Sequence, residues 1–586
     1  MNFSLYYRKN KNEDLFNTLE KSNLGLANLQ NYVPIYEKFF SLNSTNYNNI
    51  NLNQKYYLHS VNEEINKNCL KVDVLDNSNN ILKKNIFCKF SPLLDPLKYL
   101  TGKYDISDEQ KIVLPQFNTE NIFPKLIDKN NSAYVDAFFT YLSSQLLHNY
   151  NFLNGIDYYG AFLGIQNNFL YNIVDDIDYL NESDYFHKNK NNYFSLESAE
   201  YDEYFNIDSR TNKKKIIINE KLDKIDVDKF TDEDFSVFSF NNVNENKNDN
   251  NDNNEILELN NVCIYNQNSK KIKNSKSTNS TSSCSSKSSN TSCEDDDNNE
   301  ESNNCIYNNE LKSDDDDDDD DDDESECESE EEENISCSIY NFPVQIISLE
   351  KCENTLDYLM ENNLLENHEW TSCLFQIIIS LASFQKIFSF THNDLHTNNI
   401  MFINTEKQFL YYTFNKIHYK VPTYGKIYKI IDFGRAIYKF NGQLMCSDSF
   451  HLKGDAASQY NFEPYFDDKK PRLEPNFSFD LCRLSCCLYD FFIDDIFEAN
   501  DIIKKNKIAA LINSWLIDDK GRNILYKKSG EERYPEFKLY KMIARTMNNA
   551  IPSKQLDNEI FNKYIISKKK INKNVKIINI DNISHL

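Results

Sequence analysis

Glycine and proline are scarce: 11 and 12 among 586 residues. That excludes a collagen-like or proline-rich chain. The 14 cysteines include no CxxC pair, so no zinc-ligand pattern stands out. The opening stretch MNFSLYYRKNKNEDL has no apolar h-region, and no secretory signal is expected. Scattered cysteines beside helical patterns (Cys373, Cys482, Cys486, Cys487) then fit a reducing compartment, where cysteine acts as a small buried hydrophobe. The longest apolar run, CLFQIIISLASF, is too short to span a bilayer and reads as a core helix. No ordered stretch carries the basic patches of a nucleic-acid-binding domain. The expectation is a soluble, intracellular, cytoplasmic protein with neither a membrane nor a nucleic acid as partner.

Hydrophobic residues make up 40% and aromatics 13%, and the length suits one large or two ordinary domains. The plentiful Asn, Lys, Ile, Tyr and Phe follow from an AT-rich genome. The net charge of −27 is concentrated: residues 294–333 hold 24 Asp or Glu against one lysine, a balance of −23 that leaves −4 for the rest. Ten consecutive aspartates occupy 314–323. Residues 241–338 are low in complexity and bury too little apolar surface to offset chain entropy, so they read as disordered. The tract reads as a solvated spacer, or as a site for a basic partner or the basic tail. Ser325 and Ser329 within it suit an acid-directed kinase.

Residues 1–54 read as an N-terminal extension. Strand patterns fill KYYLHSV, CLKVDVLD and NILKKNIFCKF, the last two joined as a hairpin by DNSNN. SAYVDAFFTYLSSQLLHNY (132–150) has helical spacing and reads as amphipathic, and GIDYYGAFLGIQNNFLYNI as a further pair of strands. Residues 181–338 form an insertion, and order resumes with a buried strand and its exit at 339–352. A buried helix covers roughly 368–388, two strands flank an excursion of some twenty residues, and an apolar helix starts at 479. Residues 551–586, with SKKKINKNVK, read as a basic, solvated tail. The order predicts an α+β protein of two lobes: a small, mostly β lobe (55–180 plus 339–352) interrupted by the acidic insertion, and a larger, mostly α lobe (353–550).

The stretch SFTHNDLHTNNIMFIN (389–404) crowds polar residues between buried segments, and KIYKIIDFGRAI (426–437) ends a strand in Asp432-Phe433-Gly434. One aspartate to take a hydroxyl proton, an asparagine to hold a metal, and a second aspartate between metal and phosphates are what phosphoryl transfer needs. The pattern H-x-D-x₄-N followed by D-F-G resembles the core of the protein-kinase-like superfamily. The segments SDSFHLKGDAASQYNFEPYF and FDLCRLSCCLYDFF resemble those of divergent serine/threonine kinases encoded by giant DNA viruses. The resemblance covers about 55–180 and 339–550. It implies a bilobal kinase-like fold and an Mg-ATP-dependent enzyme that phosphorylates protein hydroxyls, working in host cytoplasm or virion.

Carried over by position, the resemblance makes Asp394 the catalytic aspartate and Asn399 and Asp432 the metal ligands. It gives His392 a structural role. Asp480 would anchor the loop through backbone amides, or serve as a simple N-cap. Glu350 and Cys352 would lie near adenine. Lys89 stands where the family places its phosphate-binding lysine, with Lys83 and Lys84 as competitors nearer the turn. Asp136 is the acidic candidate to pair with it, with Gln145 as the other polar option; a solvated first-turn aspartate is the alternative.

The sequence departs from the pattern in several places. No G-x-G-x-x-G occurs, and HSVNEEINKN before the hairpin has no glycine. Asn393 replaces the arginine before the catalytic aspartate, so activation by a phosphorylated loop through that arginine is not expected. His396 replaces a lysine, giving the DLH variant of haspin-like kinases and aminoglycoside phosphotransferases. No A-P-E follows. A pseudokinase scaffold and a small-molecule kinase are the alternatives.

Overall fold

Alternating burial over Cys69–Asp76 places Leu70, Val72 and Val74 inside and Lys71 outside, the period-two pattern of a half-covered strand. Over Phe342–Leu349 every residue is buried, as in the centre of a sheet covered on both faces. These strands belong to one antiparallel sheet of seven in a computed structural model that describes residues 4–104, 113–118, 122–197 and 335–585. Its strands are β1 (Leu26–Gln30), β2 (Tyr56–Asn66), β3 (Cys69–Asp76), β4 (Ile81–Pro92), β5 (Tyr158–Asn172) and β6 (Ser336–Glu350), with Phe194–Leu196 added along β6. The spatial order is β1-β5-β6-β4-β3-β2. The expected hairpin turns at Asp76, whose carboxylate accepts the amides of Ser78 and Asn80 at 2.8 and 2.9 Å.

Helix α1 (Ser132–Tyr150) joins β4 to β5 in sequence, and Asn131 caps it by accepting the Ala133 amide at 3.1 Å. The amphipathic reading is corrected here: α1 is buried on all sides from Ala133 to Leu146. Its far face is covered by aromatics from distant segments. Phe139 stacks on Phe390 at 4.3 Å and meets Phe433 at 4.6 Å and Tyr438 at 4.8 Å.

Helix α2 (Asn367–Phe388) starts in a capping box between Glu366 and Glu369. It is long and apolar enough to cross a bilayer, and it is buried within the protein. After it come β7 (Ile400–Asn404), β8 (Phe409–Phe414), β9 (Ile417–Pro422), β10 (Lys426–Ile430), β11 (Ile437–Phe440) and β12 (Gln443–Cys446). The longer helices that follow are α3 (Phe479–Phe492), α4 (Lys507–Trp515) and α5 (Phe537–Thr546). The chain is thus a mixed α and β protein, with its main sheet and helices drawn from successive parts of the sequence.

Several boundaries shift. The expected strand pair at 155–173 is one 15-residue strand, β5. Gly164 there serves close packing rather than a turn, because a Cβ would sit 2.7 Å from Leu29 Cδ2. Residues 26–30, read as part of an N-terminal extension, belong to the main sheet: β1 forms its edge beside β5. The excursion between β7 and β10 is the hairpin β8–β9. Residues 336–338, expected to be disordered, belong to β6: Ser336–Ser338 pair with Leu170–Asn172 of β5, and Cys337 and Ser338 also with Leu196 and Ser195. Residues 181–197 contain the helix Asp184–Asn189 and that added strand. The tail is not solvated throughout. Strand β13 (Ile578–Asn579) pairs in parallel with β8, and Ile578, Ile580 and Ile583 are buried. The acidic tract, its serines and the low-complexity stretch to residue 334 lie outside the described residues.

Candidate active site

The loop 389–399 is shaped from beneath. Asp480, in the first turn of α3, accepts the amides of His392 and Asn393, both at 2.9 Å. Its carboxyl is fully buried, and burial pushes its pKa up against the pull of His392 and the two amides. His392 Nδ1 accepts the Asp394 amide at 3.3 Å, so the opposite nitrogen, Nε2, donates to the Ile431 carbonyl at 2.9 Å. That bond ties the loop to the chain just before Asp432. Asn393 adopts a left-handed φ of 64° and is wholly buried. Its amide donates to the Thr391 hydroxyl and the Arg435 carbonyl, each at 3.0 Å, and its oxygen accepts from Tyr460 at 2.8 Å. The residue in the arginine position is therefore a structural bracket.

Asn399 Nδ2 donates to the Asp394 carbonyl at 2.9 Å and to His396 Nε2 at 3.0 Å. His396 is held neutral, below the ordinary histidine range: burial dominates and nearby Asp394 only partly offsets it. A neutral ring can accept that hydrogen. Both amide hydrogens of Asn399 are committed, and its Oδ1 has no partner among the described residues.

Lys89, on β4, joins the sheet to this loop. Its Nζ lies 2.7 Å from Asp136 Oδ2 on α1 and 2.9 Å from Asp432 Oδ1. The other Asp136 oxygen accepts the Phe433 amide at 2.9 Å. One buried acid thus grips both the lysine and the backbone beyond Asp432. Burial pulls the Lys89 ammonium down, but the two carboxylates more than reverse this and keep it charged. At Asp432 burial pushes up, and Lys89 overcomes it to hold the carboxyl down at about 2. At Asp136 burial outweighs the lysine, and its pKa rises. Asp432 has φ 62°, an uncommon conformation for a residue with a side chain, fixed here by these contacts.

The competitor lysines are placed elsewhere. Lys84 lies 4.6 Å from the ring of Tyr56, and Lys83 is exposed. Gln145 donates to the Asn53 carbonyl at 3.0 Å. Glu350 has one carboxylate oxygen, Oε1, engaged by buried Lys429 and by the Asp157 amide at 2.8 Å, which clamps the end of β6. Cys352 is a buried thiol pushed up to about 12 by burial, a packing residue by its side chain. The β2–β3 turn replaces glycine with Asn68 at φ 68°, and the Asn68 carbonyl accepts the Cys88 amide at 2.8 Å, next to Lys89.

Sequence reading missed three side chains around Asp394. Tyr540 donates to Asp394 Oδ1 at 2.9 Å, Arg435 approaches the same oxygen at 3.7 Å, and Asp455 pairs with Arg435. Only Arg435 carried a signal, as a buried cation directly after Asp-Phe-Gly.

No family model matches the chain. Over 180 residues, 30% of its length, it is 30% identical to an uncharacterized protein, 098R, of invertebrate iridescent virus 6. The matching stretch covers 26% of that viral protein, so the chain spans about a quarter of its relative.

Proposed function

We propose that the protein is an ATP-dependent phosphotransferase of the protein-kinase-like type, with a bilobal arrangement of sheet and helices, acting on serine or threonine hydroxyls of a protein substrate. One observation carries this: Lys89 bridges Asp136 and Asp432 beside a loop that holds Asp394 and Asn399. In kinases a strand lysine paired to a helix acid, next to a metal-binding aspartate, aligns the nucleotide phosphates. Here the lysine lies on the third strand of the β2–β3–β4 meander, and an aspartate takes the role of the helix glutamate.

Magnesium is bound through one or two carboxylates plus substrate phosphates rather than by a protein cage. The absence of any cluster of three or more His, Cys, Asp or Glu among the described residues is compatible with that. Asp432 and the unpartnered Asn399 Oδ1 are hard oxygen donors of the right kind. When bound, the ion would neutralise charge on the transferring phosphate. Asp394 accepts the proton of the substrate hydroxyl as its oxygen bonds to the γ-phosphorus. The bond from that phosphorus to the β,γ-bridging oxygen breaks, and ADP leaves with the electron pair.

Calorimetric titration with Mg-ATP tests the nucleotide part. Wild type should bind, and Lys89→Met and Asp432→Asn should each weaken binding at least tenfold. Equal binding by all three would overturn the assignment. The glycine-free turn at Asn68 favours a second reading, a nucleotide-binding scaffold without turnover; binding without any transfer would select it. The viral relative fits a site of action in host cytoplasm or virion.

A further inference from the structure

Tyr540 lies on α5, 146 residues beyond Asp394, and no motif marks it. Its hydroxyl accepts from Arg483 Nε at 2.8 Å and donates to Asp394 Oδ1 at 2.9 Å. Chemistry fixes those directions: a guanidinium has only donors and an ionised carboxylate only acceptors. Burial, reinforced by Asp394, keeps the phenol protonated and therefore a donor. Arg483 is 2% exposed and Tyr540 8%. The ring stacks on Phe537 at 5.5 Å and packs on Phe479 at 5.9 Å, with the Arg435 and Arg483 guanidinium carbons 5.7 and 5.2 Å from its centroid. The hydroxyl is held in one place.

Among the described residues, the side chains that bond to or pair with the Asp394 carboxylate do so at Oδ1. Tyr540 bonds to it, and Arg435, steadied by Asp455, stands 3.7 Å away. Oδ2 receives no hydrogen bond from the described residues, and the side chain keeps 19% of its surface exposed. A carboxylate held by one oxygen presents the other in a fixed direction, whereas an unanchored one must be frozen during the reaction.

We propose that Tyr540 is a positioning residue for phosphoryl transfer: it pins Oδ1 of Asp394 so that Oδ2 meets the acceptor hydroxyl. The inference rests on the phosphotransferase reading. Tyr540→Phe keeps the ring and its packing and deletes the hydroxyl, which is both the donor to Asp394 and the acceptor of Arg483 Nε. With radiolabelled Mg-ATP and mixed histones as probe, Tyr540→Phe should lower kcat roughly 10- to 100-fold and leave KM for Mg-ATP unchanged, with a modest fall in melting temperature because Arg483 Nε loses its acceptor. A merely structural role would lower the melting temperature and leave kcat of the folded variant unchanged. Arg483→Lys, which retains a cation without the fixed Nε donor, should lower kcat by a smaller factor. A crystal structure of Tyr540→Phe should show Asp394 leaving its wild-type rotamer. If Tyr540→Phe retains full kcat and the Asp394 rotamer while Asp394→Asn is inactive, the positioning role is wrong and the phosphotransferase reading stands. If wild type and Asp394→Asn are equally inactive, the reading fails and the positioning role falls with it.

Discussion

Lys89 and Asp136 are 47 residues apart, on a strand and a helix, and their charged atoms meet at 2.7 Å. The same acid holds the Phe433 amide, and the same lysine holds Asp432. The position of α1 is thereby coupled to the conformation of the Asp-Phe-Gly segment through one carboxylate.

Replacing Asp136 should break that coupling. Asp136→Asn loses the charge that keeps Lys89 in place while still offering an oxygen to the Phe433 amide. Phosphotransfer should fall on the order of 10²- to 10³-fold, the range seen when one preorganised electrostatic contact is removed. Steady-state kinetics beside circular dichroism would check it: a folded variant with wild-type turnover would contradict the coupling.

Asp480 has a different task. Asp480→Ala strands two buried loop amides, and charge-assisted bonds of this kind are worth about 1.5–3 kcal/mol each. A net loss of about 2–4 kcal/mol is expected in urea unfolding. A change below about 0.5 kcal/mol would mean that the loop holds its shape without this anchor.

The Arg435–Asp455 pair gives a pH signature. Burial pushes the Asp455 carboxyl up, and Arg435 overcomes it, so the folded pKa lies below the ordinary 3.8. A depressed carboxyl contributes stability that is fully present above the unfolded value and lost as pH falls through the folded one. Wild type should therefore melt higher than Asp455→Asn at pH 7, and the gap should close as the pH drops below about 3.8. A gap that persists at pH 2 would show that the effect is not ionic.

The carboxy-terminal strand should be structural. Deletion from residue 574 exposes the surface covered by Ile578, Ile580 and Ile583 and removes Asp581, which pairs with Lys386 at 2.7 Å and accepts the Asn415 amide at 2.9 Å. Each buried isoleucine is worth about 1.5–3 kcal/mol. The truncated protein should melt several degrees lower by scanning calorimetry. An unchanged melting temperature would return the segment to the status of a loose tail.

What the sequence makes legible is local. Strand patterns and the turn signal DNSNN mark the β3–β4 hairpin, and the apolar run marks α2. The spacing of His392, Asp394 and Asn399, with Asp432 after a strand, marks the candidate site before any coordinates are known. Strand register singles out Lys89, and spacing along α1 offers Asp136. The rest depends on distant partners. Residues 26–30 become a strand only because β5 lies beside them. The tail looks solvated because its lysines outnumber the isoleucines that β8 receives. Nothing in the sequence near Glu350 announces Lys429, 79 residues later, as the partner of its carboxylate. Tyr540 is one tyrosine among 37, and only the fold sets it against Asp394.

The most direct test is transfer of radiolabelled γ-phosphate from Mg-ATP, to the protein itself and to a basic protein acceptor, by wild type and Asp394→Asn in parallel. Label that appears with wild type and is lost with a folded Asp394→Asn is the expected result, and it would establish phosphotransfer through this loop. Equal label from both, or none from a folded wild type that also fails to bind Mg-ATP, would contradict it.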